Sequence, residues 1–376
     1  MNRNSKLVLS LFLVLALATL TIWMNCEKSV KSPVAPITHE EPIALSKADP
    51  QVRSVMAIQE RHTPDLMANS EVAGTAVTVT EDGKPAIMVM TKTQTLKKGQ
   101  GIPEMIEGIP VIIEVTGVIR PMKGKPGGGG GGKVSHTAKQ TPPIQLGTSG
   151  GWRYDLANGY CCGGTLGSLV TKGGKQYIMS NYHVFEADIV SGGNSRVAQN
   201  GDYVIQPGLI DVGCSAANAQ NVGTLVLQHS LPDHNVDVSL AEVISGMVRT
   251  DGAILEIGTI SASTVVASIN QAVKKSGRTT GLTRSTVSGL NATVSVAYEN
   301  ECAGGSSFTK TFTGQIIISN RGSKFLNSGD SGSLMVEDVS TNPRAVGLLF
   351  AGSSSLAVAN PINEVLSFLG ASMVGQ

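Results

Sequence analysis

The chain has 376 residues, 29 Lys and Arg against 28 Asp and Glu, 41% hydrophobic residues, 4% aromatic residues and 44 glycines. That length suits two or three domains of ~100 to 200 residues, and the apolar content is enough for a core. A net charge of +1 with no basic stripe argues against a nucleic-acid partner, because phosphate binding concentrates Lys and Arg on one face. Glycine this abundant implies many turns and a strand-rich protein.

The first 26 residues read as an export signal or a membrane or lipid anchor. Arg3 and Lys6 precede an uncharged apolar run that reaches Met24. Three endings stay open: cleavage after Ala16-Leu17-Ala18, lipid attachment at Cys26, or an uncut anchor just long enough to span a bilayer. The expected location is secreted or at the cell envelope. Residues 27–50, rich in Pro, Ser, Lys and Glu, read as a flexible tether. Cysteine usage agrees with export: besides Cys26 there are Cys161, Cys162, Cys214 and Cys302, an even number. A bond between adjacent Cys161 and Cys162 would be strained, which favours two disulfides from this pair to Cys214 and Cys302, with free thiols as the alternative.

Residues 51–120 form a small α+β domain in this reading. A helix is expected over 51–68, a hairpin of strands 72–80 and 85–90 around Asp82-Gly83, and a further strand over 109–119. Residues 121–143 read as a Gly/Pro/Lys linker, with six consecutive glycines at 127–132 and cleavable lysines at Lys123, Lys125 and Lys133. The glycine run nearly matches a phosphate-binding loop, but Val134 follows Lys133 where a hydroxyl should hold magnesium, and no apolar strand leads in.

From 144 to 376 the chain becomes a series of short apolar runs between glycine and polar turns. Strands are expected at 165–170, 176–180, 202–206, 222–226, 236–243, 287–298, 310–318, 332–336 and 345–350, with one helix near 363–369. Such a pattern favours paired barrels or a sandwich.

Three segments of this region carry chemistry. Ser331 stands in Asn327-Ser328-Gly329-Asp330-Ser331-Gly332-Ser333, where small neighbours let backbone N–H groups converge on a carbonyl oxygen. His183 closes the apolar run Tyr177-Ile178-Met179-Ser180-Asn181-Tyr182-His183, and a nucleophilic serine needs such a base. Asp237 lies in Val236-Asp237-Val238-Ser239-Leu240, an apolar setting that demands a partner, and orienting an imidazole is such a role. Asp233 is the runner-up for this part. His229, Asp233 and His234 read as solvated rather than metal-binding, and no metal or organic cofactor is expected. The order His, Asp, Ser excludes an α/β-hydrolase, whose histidine follows the nucleophile.

With Gly329 to Gly332 reading Gly-Asp-Ser-Gly, the chain resembles the trypsin-like serine endopeptidases of the chymotrypsin fold. It is most similar there to the narrow-leaf-type and related bacterial proteases, through Ser180-Asn181-Tyr182-His183-Val184, Val236 to Ala241 and Lys275-Ser276-Gly277-Arg278-Thr279-Thr280-Gly281. The resemblance implies a mainly β fold of two six-stranded antiparallel barrels after the small α+β domain. It also implies Ser331 as nucleophile, His183 as base, Asp237 as its orienter, and the N–H groups of Gly329 and Ser331 as oxyanion hole. Protein or peptide substrates follow, and Phe325 would line the pocket for the side chain before the cut, favouring apolar or small residues. No Ile-Val-Gly-Gly follows a basic residue, so activation by a freed N-terminus pairing with Asp330 has no support. A proteolytically silent binding or scaffold protein is the alternative function. The small domain is expected to fold by itself and to modulate access to the cleft. Asn291-Ala292-Thr293 is a glycosylation acceptor sequence.

Overall fold

The computed structural model describes residues 44–98, 101–124, 134–157, 160–186, 196–298, 307–321 and 325–376. The expected export signal, Cys26, the glycine run and Cys302 lie outside them. Among the described residues no helix is long and apolar enough to cross a membrane.

Helix α1 (Pro50–Met67) begins where the Asp49 carboxylate accepts the N–H groups of Gln51 and Val52 at 2.8 and 3.2 Å, with proline in the first turn. Its buried face, Val52, Val55, Gln59, Thr63 and Leu66, covers the hairpin of β1 (Val72–Val79) and β2 (Pro85–Thr91). Strand β3 (Ile109–Val115) adds to β2 in parallel. These elements agree with the sequence reading, although β3 stops four residues early. Next comes the two-residue strand β4 (Arg120–Pro121).

The first barrel uses β5 (Thr148–Trp152), β6 (Gly164–Leu166), β7 (Ser168–Lys172), β8 (Lys175–Ser180), β9 (Tyr203–Gln206), β10 (Gln220–Val226) and β11 (Ser239–Val243). Its antiparallel order is β6-β5-β9-β10-β11-β8-β7. Because β6 and β7 are two halves of one strand broken at Gly167, this order closes a six-stranded ring. Trp152, Leu166, Leu169, Ile178, Val222 and Leu225 fill it. The second barrel uses β12 (Ala272–Gly277), β13 (Gly281–Tyr298), β14 (Phe308–Ser319), β15 (Leu334–Glu337), β16 (Ala345–Gly352) and β17 (Leu356–Pro361). They run in the order β12-β15-β16-β17-β14-β13, and β13 returns to β12, which closes six strands again. The fold is therefore mainly β, two six-stranded antiparallel barrels after a small α+β region. Two short helices complete it, α2 (Tyr182–Phe185) and α3 (Ile362–Leu369).

Three strands of the barrels escape the sequence reading for physical reasons. Glycines at 150 and 151 make β5 look like a turn, Lys274 and Lys275 disguise β12, and β17 carries Asn360 and Pro361. Val236 to Val238, expected to begin a strand, precede β11 as buried loop.

Residues 51–120 do not stand apart as the sequence suggested. Strand β1 pairs with β13, so the small sheet continues the second barrel, and Val52, Ile87 and Val89 share one apolar cluster with Val287, Ile316 and Leu349. The tether also docks before its expected end: Leu45–Ser46 pairs with Ser268–Ile269. Expressed alone, residues 144–376 would bare the β13 edge and half of that cluster, and are expected to aggregate. A soluble fragment with native-like circular dichroism would contradict this. In the full chain Ile87→Ala is expected to cost about 2 to 5 kcal/mol in denaturant unfolding.

Candidate active site

The turn that carries Ser331 is fixed from beneath by a buried carboxyl group. Asp330 Oδ1 accepts the N–H groups of Thr279 and Thr280 at 2.8 and 3.1 Å. Its Oδ2 accepts the Thr280 hydroxyl at 2.7 Å and Asn327 N–H at 3.0 Å. Lys275 Nζ lies 3.4 Å from Oδ2, and both side chains are fully buried. Burial pulls the Lys275 pKa below the ordinary lysine value, and the Asp330 charge opposes that shift. Asp330 thus has an internal countercharge in Lys275. Arg278, from the same β12–β13 hairpin, grips Asp211 through Nε at 2.9 Å and Nη2 at 2.5 Å. Gly329 and Gly332 have φ of +101° and +91°, and a Cβ on Gly332 would lie 2.2 Å from Ser180 Oγ. Only glycine fits there.

His183 and Asp237 face each other from the first barrel. Asn181 precedes α2 and donates from Nδ2 to the Asp237 carbonyl at 2.7 Å, which pins the histidine loop to the aspartate loop. His183 Nδ1 lies 2.6 Å from Asp237 Oδ2, and a carboxylate there makes Nδ1 the donor. The Tyr298 hydroxyl donates to the same Oδ2 at 2.7 Å, His183 N–H reaches Oδ1 at 3.3 Å, and Asp237 N–H donates to Asn360 Oδ1 at 2.9 Å. Burial, then the neighbouring Asp237 charge, pushes the Tyr298 pKa well above its ordinary value. His183 Nε2 is buried and has no hydrogen-bond partner among the described residues. Ser331 Oγ donates to the Phe350 carbonyl at 3.1 Å.

The cleft holds a segment of the chain itself. Arg120 and Pro121 pair antiparallel with Gly352 and Ala351 of β16, and Met122 N–H continues the ladder to Phe350 O at 3.1 Å. The Met122 carbonyl oxygen then accepts Gly329 N–H at 2.5 Å and Ser331 N–H at 3.3 Å. Lys123 Nζ lies 2.9 Å from Asp155 Oδ1, both residues buried, and Gly124 N–H donates to Gly163 O at 2.9 Å. Burial lowers the Lys123 pKa and raises that of Asp155, while each charge opposes the other's shift.

Of the residues singled out for chemistry, Ser331 and Gly329 share one turn and His183 and Asp237 are hydrogen-bonded to each other, while Ser331 Oγ bonds Phe350 O rather than His183. Sequence reasoning missed Tyr298, Asn360, Asp155 and the occupying segment. Lys123, expected as an exposed cleavage site, is enclosed, and the other end of that linker is anchored too. His136 is buried, Nδ1 2.8 Å from Gly147 O and Nε2 2.6 Å from Glu256. Phe325 is fully buried in the cluster of the second barrel, so its ring serves packing rather than a pocket wall. Asp233, His229 and His234 are exposed. Asn291 is buried, φ +53°, and donates to Gln59 and Glu60, which leaves no room for a glycan. Cys161 and Cys214 form a disulfide, and Cys162 is disulfide-bonded as well.

Residues 231–360 match a family model described as the Nal1 C-terminal domain, a stretch that holds Asp237 and Ser331 but not His183. A comparison with curated proteins finds no match. Similar solved structures include Thermobifida fusca Protease A, 19% identical over 62% of this chain and 99% of that one with a TM-score of 0.40. A chymotrypsin of Cellulomonas bogoriensis is 19% identical over 56% and 91%, TM-score 0.34. A glutamic acid specific serine protease is 21% identical over 61% and 100%, TM-score 0.38. Likenesses this distant add nothing on activity, and the fold rests on the strand pairing.

Because the Tyr298 phenol resists ionisation, it remains a donor to Asp237 far into alkaline pH. Tyr298→Phe removes a hydrogen bond to a charged group, about 1.5 to 3 kcal/mol, and is expected to lower kcat roughly 10- to 100-fold. The alkaline limb of the pH–rate profile should stay where it was. An alkaline limb that vanishes in this variant would show that the phenol titrates in the working range.

Proposed function

We propose that the protein is an exported serine endopeptidase that hydrolyses peptide bonds through an acyl-enzyme intermediate. The observation that carries this reading is the pair of amides, Gly329 and Ser331, converging on a peptide carbonyl oxygen, in a chain whose His183 is held at Nδ1 by Asp237 and keeps Nε2 without another partner. Ser331 Oγ leaves Phe350 O, gives its proton to His183 Nε2 and bonds to the substrate carbonyl carbon. The two amides hold the oxyanion. Asp237 keeps the imidazole in the required tautomer and stabilises its charged form. Collapse passes the proton to the leaving amine, and water repeats the sequence on the ester. The Lys275–Asp330 pair supports a nucleophile turn that is formed without N-terminal activation. Two features support export: the charged and apolar start of the chain, with membrane attachment through that segment or Cys26, and the disulfide Cys161–Cys214. The Nal1 C-terminal domain match is in keeping with the narrow-leaf-type resemblance.

The test uses Met122→Asp, which drives a charge against an apolar wall and so frees the cleft. A fluorophosphonate probe is expected to label Ser331 in that chain, and labelling should be lost when Ser331→Ala or His183→Ala is added. Peptide hydrolysis should fall by ~10⁶ in these two, by ~10⁴ in Asp237→Ala, and stay unchanged in Asp233→Ala. A chain freed of Met122 that neither labels nor hydrolyses would overturn the reading.

A further inference from the structure

The segment 120–124 lies in the cleft as a bond awaiting attack. Its backbone pairs with β16 on one side of Ser331 and with Gly163 on the other, and between these the Met122 carbonyl oxygen sits on the two amides next to the nucleophile. Each side chain meets complementary surroundings. Met122 packs on the apolar cluster of the second barrel, its Cε only 3.2 Å from where a Cβ on Gly352 would lie, so the absent side chain of Gly352 makes the room. Lys123 reaches the buried Asp155 and supplies the countercharge that a buried carboxylate needs. A Cβ on Gly124 would lie 2.9 Å from Gly329 Cα and 3.0 Å from Ile210 Cδ1, so any larger residue would lift the chain off the turn.

We propose that the first substrate of this protein is itself, at the Met122–Lys123 bond, and that the same contacts define its later substrates: an unbranched apolar residue before the cut, a lysine after it, then glycine. The proposal rests on the serine peptidase reading. Ser331 Oγ bonds to the Met122 carbonyl carbon, and its proton moves to His183 Nε2. The C–N bond to Lys123 breaks as that proton passes to the Lys123 nitrogen, leaving Met122 esterified to Ser331. Water, deprotonated by His183, hydrolyses the ester to a Met122 carboxylate and restores the Ser331 hydroxyl. Hydrolysis consumes one water and needs no other reactant. The Lys123 amine so formed is not required by Asp330, which Lys275 already holds, so cleavage serves to clear the cleft. The two pieces remain joined through the β1–β13 ladder.

Purified full-length chain is incubated and its intact mass followed, beside Ser331→Ala, Lys123→Glu and Met122→Asp. The wild type is expected to yield one piece ending at Met122 and one beginning at Lys123 that elute together without denaturant, while Ser331→Ala stays whole. Lys123→Glu sets a like charge against Asp155 and should slow cleavage at least ~100-fold. In trans, Met122→Asp should cut the peptide Ile-Arg-Pro-Met-Lys-Gly at Met-Lys, and the same peptide with Glu for Lys at least ~100-fold more slowly. A wild-type chain that stays whole while Met122→Asp labels with a fluorophosphonate overturns the self-cleavage proposal and leaves the peptidase reading standing. Cleavage that persists in Ser331→Ala overturns it as well. A Met122→Asp chain without labelling or hydrolysis overturns both.

Discussion

A carboxyl group buried away from water must be met by donors or a countercharge, and three aspartates under that constraint organise this protein. Asp330 gathers the backbone of the β12–β13 hairpin and Lys275, and thereby sets the turn from which Ser331 and two amides project. Asp237 gathers His183, Tyr298 and Asn360 and thereby orients the imidazole. Asp155 gathers Lys123 and thereby anchors the chain that fills the cleft.

The three sets are joined across the barrels by few bonds. Thr165 of β6 donates its N–H to Ser331 O and its hydroxyl to Gly329 O, both at 2.9 Å, so the first barrel grips the turn that belongs to the second. Ser180, at the end of the strand leading to His183, donates to Thr165 O at 2.7 Å. Thr165 thus links the strand before His183 to the Ser331 turn, beside the bonds that Tyr298 and Asn360 of the second barrel make to Asp237. The small α+β region enters as an extension of the second barrel's sheet, and that continuity delivers residues 120–124 to β16.

What could be read from the sequence is what local chemistry marks. A serine between glycines, a histidine ending an apolar run and an aspartate inside one are each out of place locally, and Ser331, His183 and Asp237 were legible for that reason. Tyr298 is at home in a β strand and Asn360 carries no local mark of its partner, and their bonds to Asp237 span 61 and 123 residues. The barrels were legible as a class, since turn spacing betrays short strands, but β5 and β12 hid behind glycines and lysines whose burial only the neighbouring strands explain. Residues 121–143 misled most. Their composition cannot build a core of its own, yet at 121–124 the burial comes from a cleft made by residues far along the chain.

Occupation of the amide pair by Met122 is the point on which mechanism, specificity and self-processing converge. A crystal structure of the full chain carrying Ser331→Ala, which cannot release the segment, measures it directly. The account predicts unbroken chain from Arg120 to Gly124 along β16, with the Met122 carbonyl oxygen within hydrogen-bond distance of both Gly329 and Ser331→Ala backbone N–H groups and Lys123 against Asp155. A cleft free of the chain's own residues, with Lys123 in solvent, would contradict it.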